Sequence, residues 1–534
     1  MALMLLLVSC QPESDAPKAR FVELAAPRLA RRMSLDLRGV LPSQAEIDAV
    51  AADPAALDGL EETWLEDSQF EDRLVSLFSE RFLTKLDLYQ SRYYDYRLED
   101  EENQEFLRSV GEEPLRLMAH IAATDAPWTD IVTADYTMAN AMLRDIWAFD
   151  TSGQEGDWIE SRYLDYRPAA GVLSTNGLWW RYTTNSSNLN RSRAAALSRL
   201  LLCEDYLNRP VTFSQSPSLA DEDGSENAIR TVPECMGCHS TIDPLAANFF
   251  GFFTPAGYNV DDMDRYHPSR ENLNEELLGV DPGYFGVPTD GLEDVGQLVA
   301  ADPRFVRCAA QSMAEAYWRR TTTLDDYAQV ESFRAAFIDG GLTLRPLIRA
   351  VLASDEYRAG GLGPGATTAD EESRTVRLLS ADLLESVVED LTGYRWTWDG
   401  YDMLGNDTYG FRVLAGGVDG ETVTSAQADA GMTMVLVLQR VSEGAAAYAV
   451  ETELEGGGEP RLFTQVTLDS RPGDADFTAQ LDELHARLYG DAPDADRRAE
   501  DEALWSAIEA QSGAAEAWKG LVSALLRDPR FLGY

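Results

Sequence analysis

The sequence predicts a mainly α fold with minor β, and three observations predict it. Apolar residues recur at three- and four-residue spacing over long stretches, the period of one helix face. A short signal also recurs: two apolar residues, an Asp- or Ser-containing turn, then an aromatic, as at a capped helix start. Finally, the 534 residues are 45% hydrophobic and 10% aromatic, enough to fill packed cores.

In chain order, helical periodicity covers residues 57–88, 114–121, 193–207, 304–319 and 344–357. The start signal stands at Asp67 before Phe70, Asp302 before Phe305, Ser354 before Tyr357 and Asp528 before Phe531. These copies lie too far apart for a solenoid repeat, so they are an architectural device. Residues 215–227 are acidic and turn-rich and read as a loop. Residues 360–368 are rich in Gly, Pro and Thr and read as a linker. Segment 431–454 is β-branched in part, but its alanines and its length favour helix, while 463–468 suits a short strand.

Charge narrows the partners. With 91 Asp+Glu against 45 Lys+Arg, the net charge is −46. Such a surface repels nucleic acid and anionic lipid headgroups. It suits solubility, high salt or a basic partner. No nucleotide-binding glycine pattern, nucleophile elbow or metal-spaced carboxylate cluster is present.

Five cysteines are too few for a disulfide-built scaffold, so each is read by its context. Cys10 closes the run MALMLLLVSC, whose apolar part is too short to span a bilayer. Leu7-Val8-Ser9-Cys10 resembles the lipobox of bacterial lipoprotein signal peptides. That resemblance implies cleavage before Cys10, lipidation of that residue, and a polar tether after it. The basic stretch that opens a signal peptide is absent before Cys10, which fits a start site set too far downstream. Without a lipid, the same residues are a short leader with an incidental cysteine.

Cys235-Met236-Gly237-Cys238-His239 is a Cys-x-x-Cys-His sequence, the attachment signature of c-type haem. Two thiols at this spacing add across the vinyl groups of one porphyrin edge. The adjacent histidine then reaches the iron as proximal ligand, and Gly237 lets the backbone pass close to the macrocycle. Other readings of the pair are poorer. A thioredoxin-type site wants a βαβ context, half a zinc site wants a second ligand pair, and a plain disulfide leaves His239 without a role.

Around the motif, residues 233–253 (PECMGCHSTIDPLAANFFGFF) resemble the haem block of planctomycete-type cytochrome-c-like proteins, a family of large exported proteins. Asp243-Pro244 fall where that block has Asp-Pro. Residues 29–42 (LARRMSLDLRGVLP) are similar to its N-terminal block, 133–146 and 171–203 to its middle, and 305–320 and 344–357 to its closing helices. A looser likeness covers 372–393 and 517–534. The chain departs from the family where a glycine and an acidic residue usually follow Asp-Pro; here stand Ala246 and Phe249-Phe250.

The expected product is an exported protein, in the periplasm or at the cell surface, anchored to the outer membrane only through its N-terminal lipid. It would bind one covalent haem c, transfer single electrons and meet a redox protein partner, a basic one on charge grounds. The expected parts are a signal peptide at 1–9, a tether at 10–27, a helical N-terminal domain at 28–170 and a haem-binding helical domain at 171–360. A linker at 361–373 and a helical C-terminal domain at 374–534 complete the chain. The sixth iron ligand is expected at Met263, with His267, Met313, His120 and His485 less suited, and a five-coordinate iron or a ligand from the partner left open. An open iron site would make the protein a haem-dependent oxidoreductase. A bond between Cys235 and Cys238 would instead make it a structural or adhesive lipoprotein. Cys203 and Cys308 remain. In an oxidising compartment they suit a disulfide, the alternative being two buried thiols.

Overall fold

Helices begin where the sequence supplies a capping side chain. Asp67 accepts a hydrogen bond from the Gln69 amide (3.0 Å), Asp302 from Arg304 (2.9 Å), Ser354 from Tyr357 (3.3 Å) and Asp528 from Arg530 (2.9 Å). Each cap satisfies one of the amides that a helix start leaves orphaned. The aromatics that follow, Phe70, Phe305, Tyr357 and Phe531, are all buried. The cap at Asp67 also explains why the stretch expected at 57–88 holds two helices, Ala56–Leu65 and Ser68–Phe82, rather than one; 83–87 are not helical.

The computed structural model describes residues 19–87, 89, 96–210, 222–254 and 264–534. The signal peptide, Cys10, the first half of the tether and Met263 lie outside the described residues. The chain is mainly α, 59% helix and 6% strand. Among the described residues, no helix is long and apolar enough to cross a membrane.

Residues 114–121 sit inside a longer helix, Asp100–Ala123, with three acidic residues in its first turn, at the positive end of the helix dipole. Pro114 within that helix cannot donate to the Val110 carbonyl. Gly177 of the Asn176–Arg181 helix packs there instead; a Cβ on Gly177 would lie 2.0 Å from that oxygen. Only glycine allows this approach.

Segment 431–454 is helical, as Met432–Ala449 followed by a π-turn at Val450–Glu455. Segment 463–468 is not a strand. The Glu453 carboxylate accepts the Leu462 and Phe463 amides (3.0 and 2.9 Å), and the Gln480 side chain accepts that of Gln465 (3.1 Å). Side chains take the donors that a neighbouring strand would have taken. The loop read at 215–227 ends early, because Glu222–Thr231 is a helix.

The linker and tether readings also change. Ala359–Leu362 is a strand paired antiparallel with Phe21–Glu23, so the expected tether contributes a strand and its partner runs across the 360/361 boundary. An Arg20–Asp370 ion pair fastens the same corner.

One continuous core holds Leu29 through Tyr357, drawing residues from both sides of the 170/171 boundary; the two domains expected there share a single interior. A second core is built from residues 379–534 together with Leu35 and Leu41. The first helix, Ala26–Arg38, serves both, with Leu29, Met33 and Leu37 in one core and Leu35 in the other. Where the cores meet, buried Asp36 accepts from Tyr534 Oη (2.8 Å), Tyr357 Oη (3.0 Å) and Arg377 (3.3 Å). Arg32 donates to the carbonyls of Tyr357 and Ala359 (2.7 and 2.8 Å) and of Thr375 (2.7 Å).

Candidate functional site

The Cys-x-x-Cys-His motif lies in the first two turns of the helix Pro233–Ala247, with Pro at its first position and Glu234 beside it. Pro there suits a helix start, where its missing N–H is no loss. Helical spacing sets Cys235, Cys238 and His239 at i, i+3 and i+4, on one face. The two thiols are free and half-buried, and Cys238 packs on the main core. No bond joins Cys235 to Cys238.

His239 is held by one nitrogen. Its Nδ1 lies 2.9 Å from Asp243 Oδ1, one helical turn on, and its ring is 26% exposed. Asp243 is buried and gripped by Arg191, whose Nε and Nη2 donate at 2.7 and 3.0 Å. Burial alone would raise the Asp243 carboxyl. The hydrogen bonds from His239 and Arg191 outweigh it and hold the group below the usual carboxylate range. Because Asp243 is held ionised, the imidazole donates Nδ1–H to it, which leaves Nε2 as the ring atom able to ligate a metal. That is the arrangement of a metal-ligating imidazole backed by a carboxylate.

These residues fit a covalently held haem. Two free thiols and one oriented imidazole share a half-exposed helix face. A Cβ on Gly237 would touch nothing within 4 Å, so the fold itself has no use for glycine there. Gly inside a helix costs about 1 kcal/mol relative to Ala, a cost explained if a flat group must approach that backbone.

Comparison with protein-family models, curated proteins and solved structures finds no match.

The departures after Asp243-Pro244 serve packing: Ala246, Phe249 and Phe250 are fully buried, and the Phe249 ring lies 4.8 Å from that of Trp179. Among the lesser ligand candidates, Met313 is buried in the main core. His120 pairs with Glu160 (3.2 Å), and His485 is buried against Asp501 (2.7 Å). The described chain resumes at Asp264, whose carbonyl accepts from Asn176 (2.9 Å).

Cys203 and Cys308 are joined as a disulfide. It links the C-terminal end of the Arg191–Leu202 helix to the second turn of the Pro303–Trp318 helix, and the two flank the motif helix in sequence. The Arg191–Leu202 helix also carries the arginine that grips Asp243, and it packs on the motif helix. The role of Asp243 was legible only as a His-x-x-x-Asp spacing, and that of Arg191 had no sequence signal.

Proposed function

We propose that the chain is an exported, lipid-anchored, c-type cytochrome-like protein that binds one covalent haem and passes single electrons at the cell envelope. One observation carries the reading: His239, directly after a Cys-x-x-Cys pair, is fixed through Nδ1 by Asp243, itself gripped by Arg191, and its Nε2 has no hydrogen-bond partner among the described residues. Haem c, when bound, supplies one-electron redox chemistry. Cys235 and Cys238 would hold it through thioethers and His239 Nε2 would ligate the iron. Asp243 would keep the imidazole oriented and basic, and Arg191 would keep Asp243 ionised. Met263 is the proposed sixth ligand. Cys10 would carry the lipid. A basic redox protein is the proposed partner, drawn to a surface of net charge −46.

The test is production in a host able to attach c-type haem, followed by acid-acetone extraction. A Soret-absorbing species that stays with the polypeptide, and is lost in Cys235→Ala/Cys238→Ala, is the expected result. Its absence from the wild-type chain overturns the reading. Carbon monoxide added to the reduced protein then separates a six-coordinate carrier from an open iron. Exchange with a basic redox partner should slow as salt rises.

A further inference from the structure

A cleft of about 880 Å³ opens where the Ser68–Phe82, Arg191–Leu202 and Pro303–Trp318 helices face segments 374–378 and 424–428. Seven arginines and three carboxylates line it. The chain as a whole has two carboxylates for each cation, so the cleft inverts its surroundings.

Four of those arginines are neutralised. Arg319 pairs with Glu80 (2.8 Å), Arg320 with Asp326 (2.8 Å) and Glu356 (2.6 Å), Arg374 with Asp429 (3.0 Å), and Arg377 with Asp36 (3.3 Å). The other three are not. Arg81 has, among the described residues, only Glu315 at 3.9 Å; its guanidinium rests on the Arg199 and Leu200 carbonyls and against both sulfurs of the disulfide. Arg181 and Arg199 have no carboxylate within 4.0 Å among the described residues. Arg199 donates to Tyr182 Oη (2.9 Å), which itself donates to the Phe82 carbonyl (3.0 Å). Arg181 lies 4.9 Å from the Tyr182 ring centre, and its buried Nε has no hydrogen-bond partner. Cations crowded together and half out of water repel one another, and burial together with Arg199 works against the charge on Arg81.

We propose that this cleft binds a small polyanion carrying at least two carboxylate or phosphate groups, held by Arg181 and Arg199 with Arg81 behind them. A guanidinium offers paired donors matched to the oxygens of either group, and Tyr182 positions two such forks beforehand. The volume falls in the range of small-molecule sites. The charge of the whole chain repels an extended polyanion such as nucleic acid and leaves a small one as the occupant. The inference is independent of haem.

The test is calorimetric titration of the full-length protein at low ionic strength with two probes, citrate and pyrophosphate; the tighter binder identifies the group recognised. At least one should bind below about 10 mM. The same probe should bind about tenfold or more weakly to Arg181→Gln/Arg199→Gln, and with a smaller loss to Arg181→Lys/Arg199→Lys, which keeps the charge but not the fork. Arg304→Gln, at a pair outside the cleft, should bind as the wild type does, and circular dichroism should show every variant folded. Failure of both probes to bind the wild type, or undiminished binding by the glutamine variant, overturns the proposal. If the glutamine variant does not fold, the lysine variant decides: undiminished binding by it overturns the proposal.

Discussion

At the scale of single residues, the orientation of His239 depends on Asp243 and Arg191. The imidazole donates to a carboxylate that two guanidinium N–H groups keep ionised. In the haem-loaded protein, Asp243→Asn should leave attachment intact, weaken imidazole donation to iron and move the midpoint potential positive, measured by redox titration. In the wild type, Asp243 stays charged below the ordinary carboxylate pKa of about 4. Its contribution to stability is therefore complete above about pH 4 and fades as pH falls through the lower folded value. The potential of the wild type should thus hold steady with respect to this group down to about pH 4. The two cysteines and the histidine were legible because their chemistry demands a local spacing. Arg191 was not, because it stands 52 residues from Asp243 in sequence and only the packing of two helices joins them.

At the scale of elements, four helix starts obey one rule: a short oxygen-bearing side chain, then a buried aromatic. Asp67→Ala should cost about 1 kcal/mol in urea unfolding, the ordinary value of an N-cap. This rule was legible because capping is local. The strand expected at 463–468 and the linker expected at 360–368 were misread for the opposite reason. The amides of 462–465 go to Glu453 and Gln480, and Ala359–Leu362 becomes a strand only because Phe21–Glu23 lies beside it. Strand pairing depends on a partner that composition does not name.

At the scale of the whole molecule, the two larger of three core clusters among the described residues are joined through the first helix and the charge buried behind it. Asp36→Asn removes the one carboxylate that Tyr357, Tyr534 and Arg377 share. The loss should be about 3–5 kcal/mol in equilibrium unfolding, because cations remain buried without their counter-charge. The Cys203–Cys308 bridge closes a loop with a sequence separation of 105 that contains the motif helix. Cys203→Ser/Cys308→Ser should lower stability by about 2–5 kcal/mol, read from the denaturant midpoint, by freeing that loop in the unfolded chain.

The sequence by itself determined the helical class, the helix starts and the acidic charge, and it set Cys235, Cys238 and His239 at the spacing on which the proposed haem reading rests. All of these rest on neighbours a few residues apart or on composition. Only the tertiary structure decided that both sides of the 170/171 boundary feed one core, that Arg191 anchors Asp243, and that arginines with no carboxylate nearby among the described residues line a cleft in an acidic protein. Those facts depend on which distant helices meet, and that is settled by the burial of whole apolar faces rather than by any local pattern.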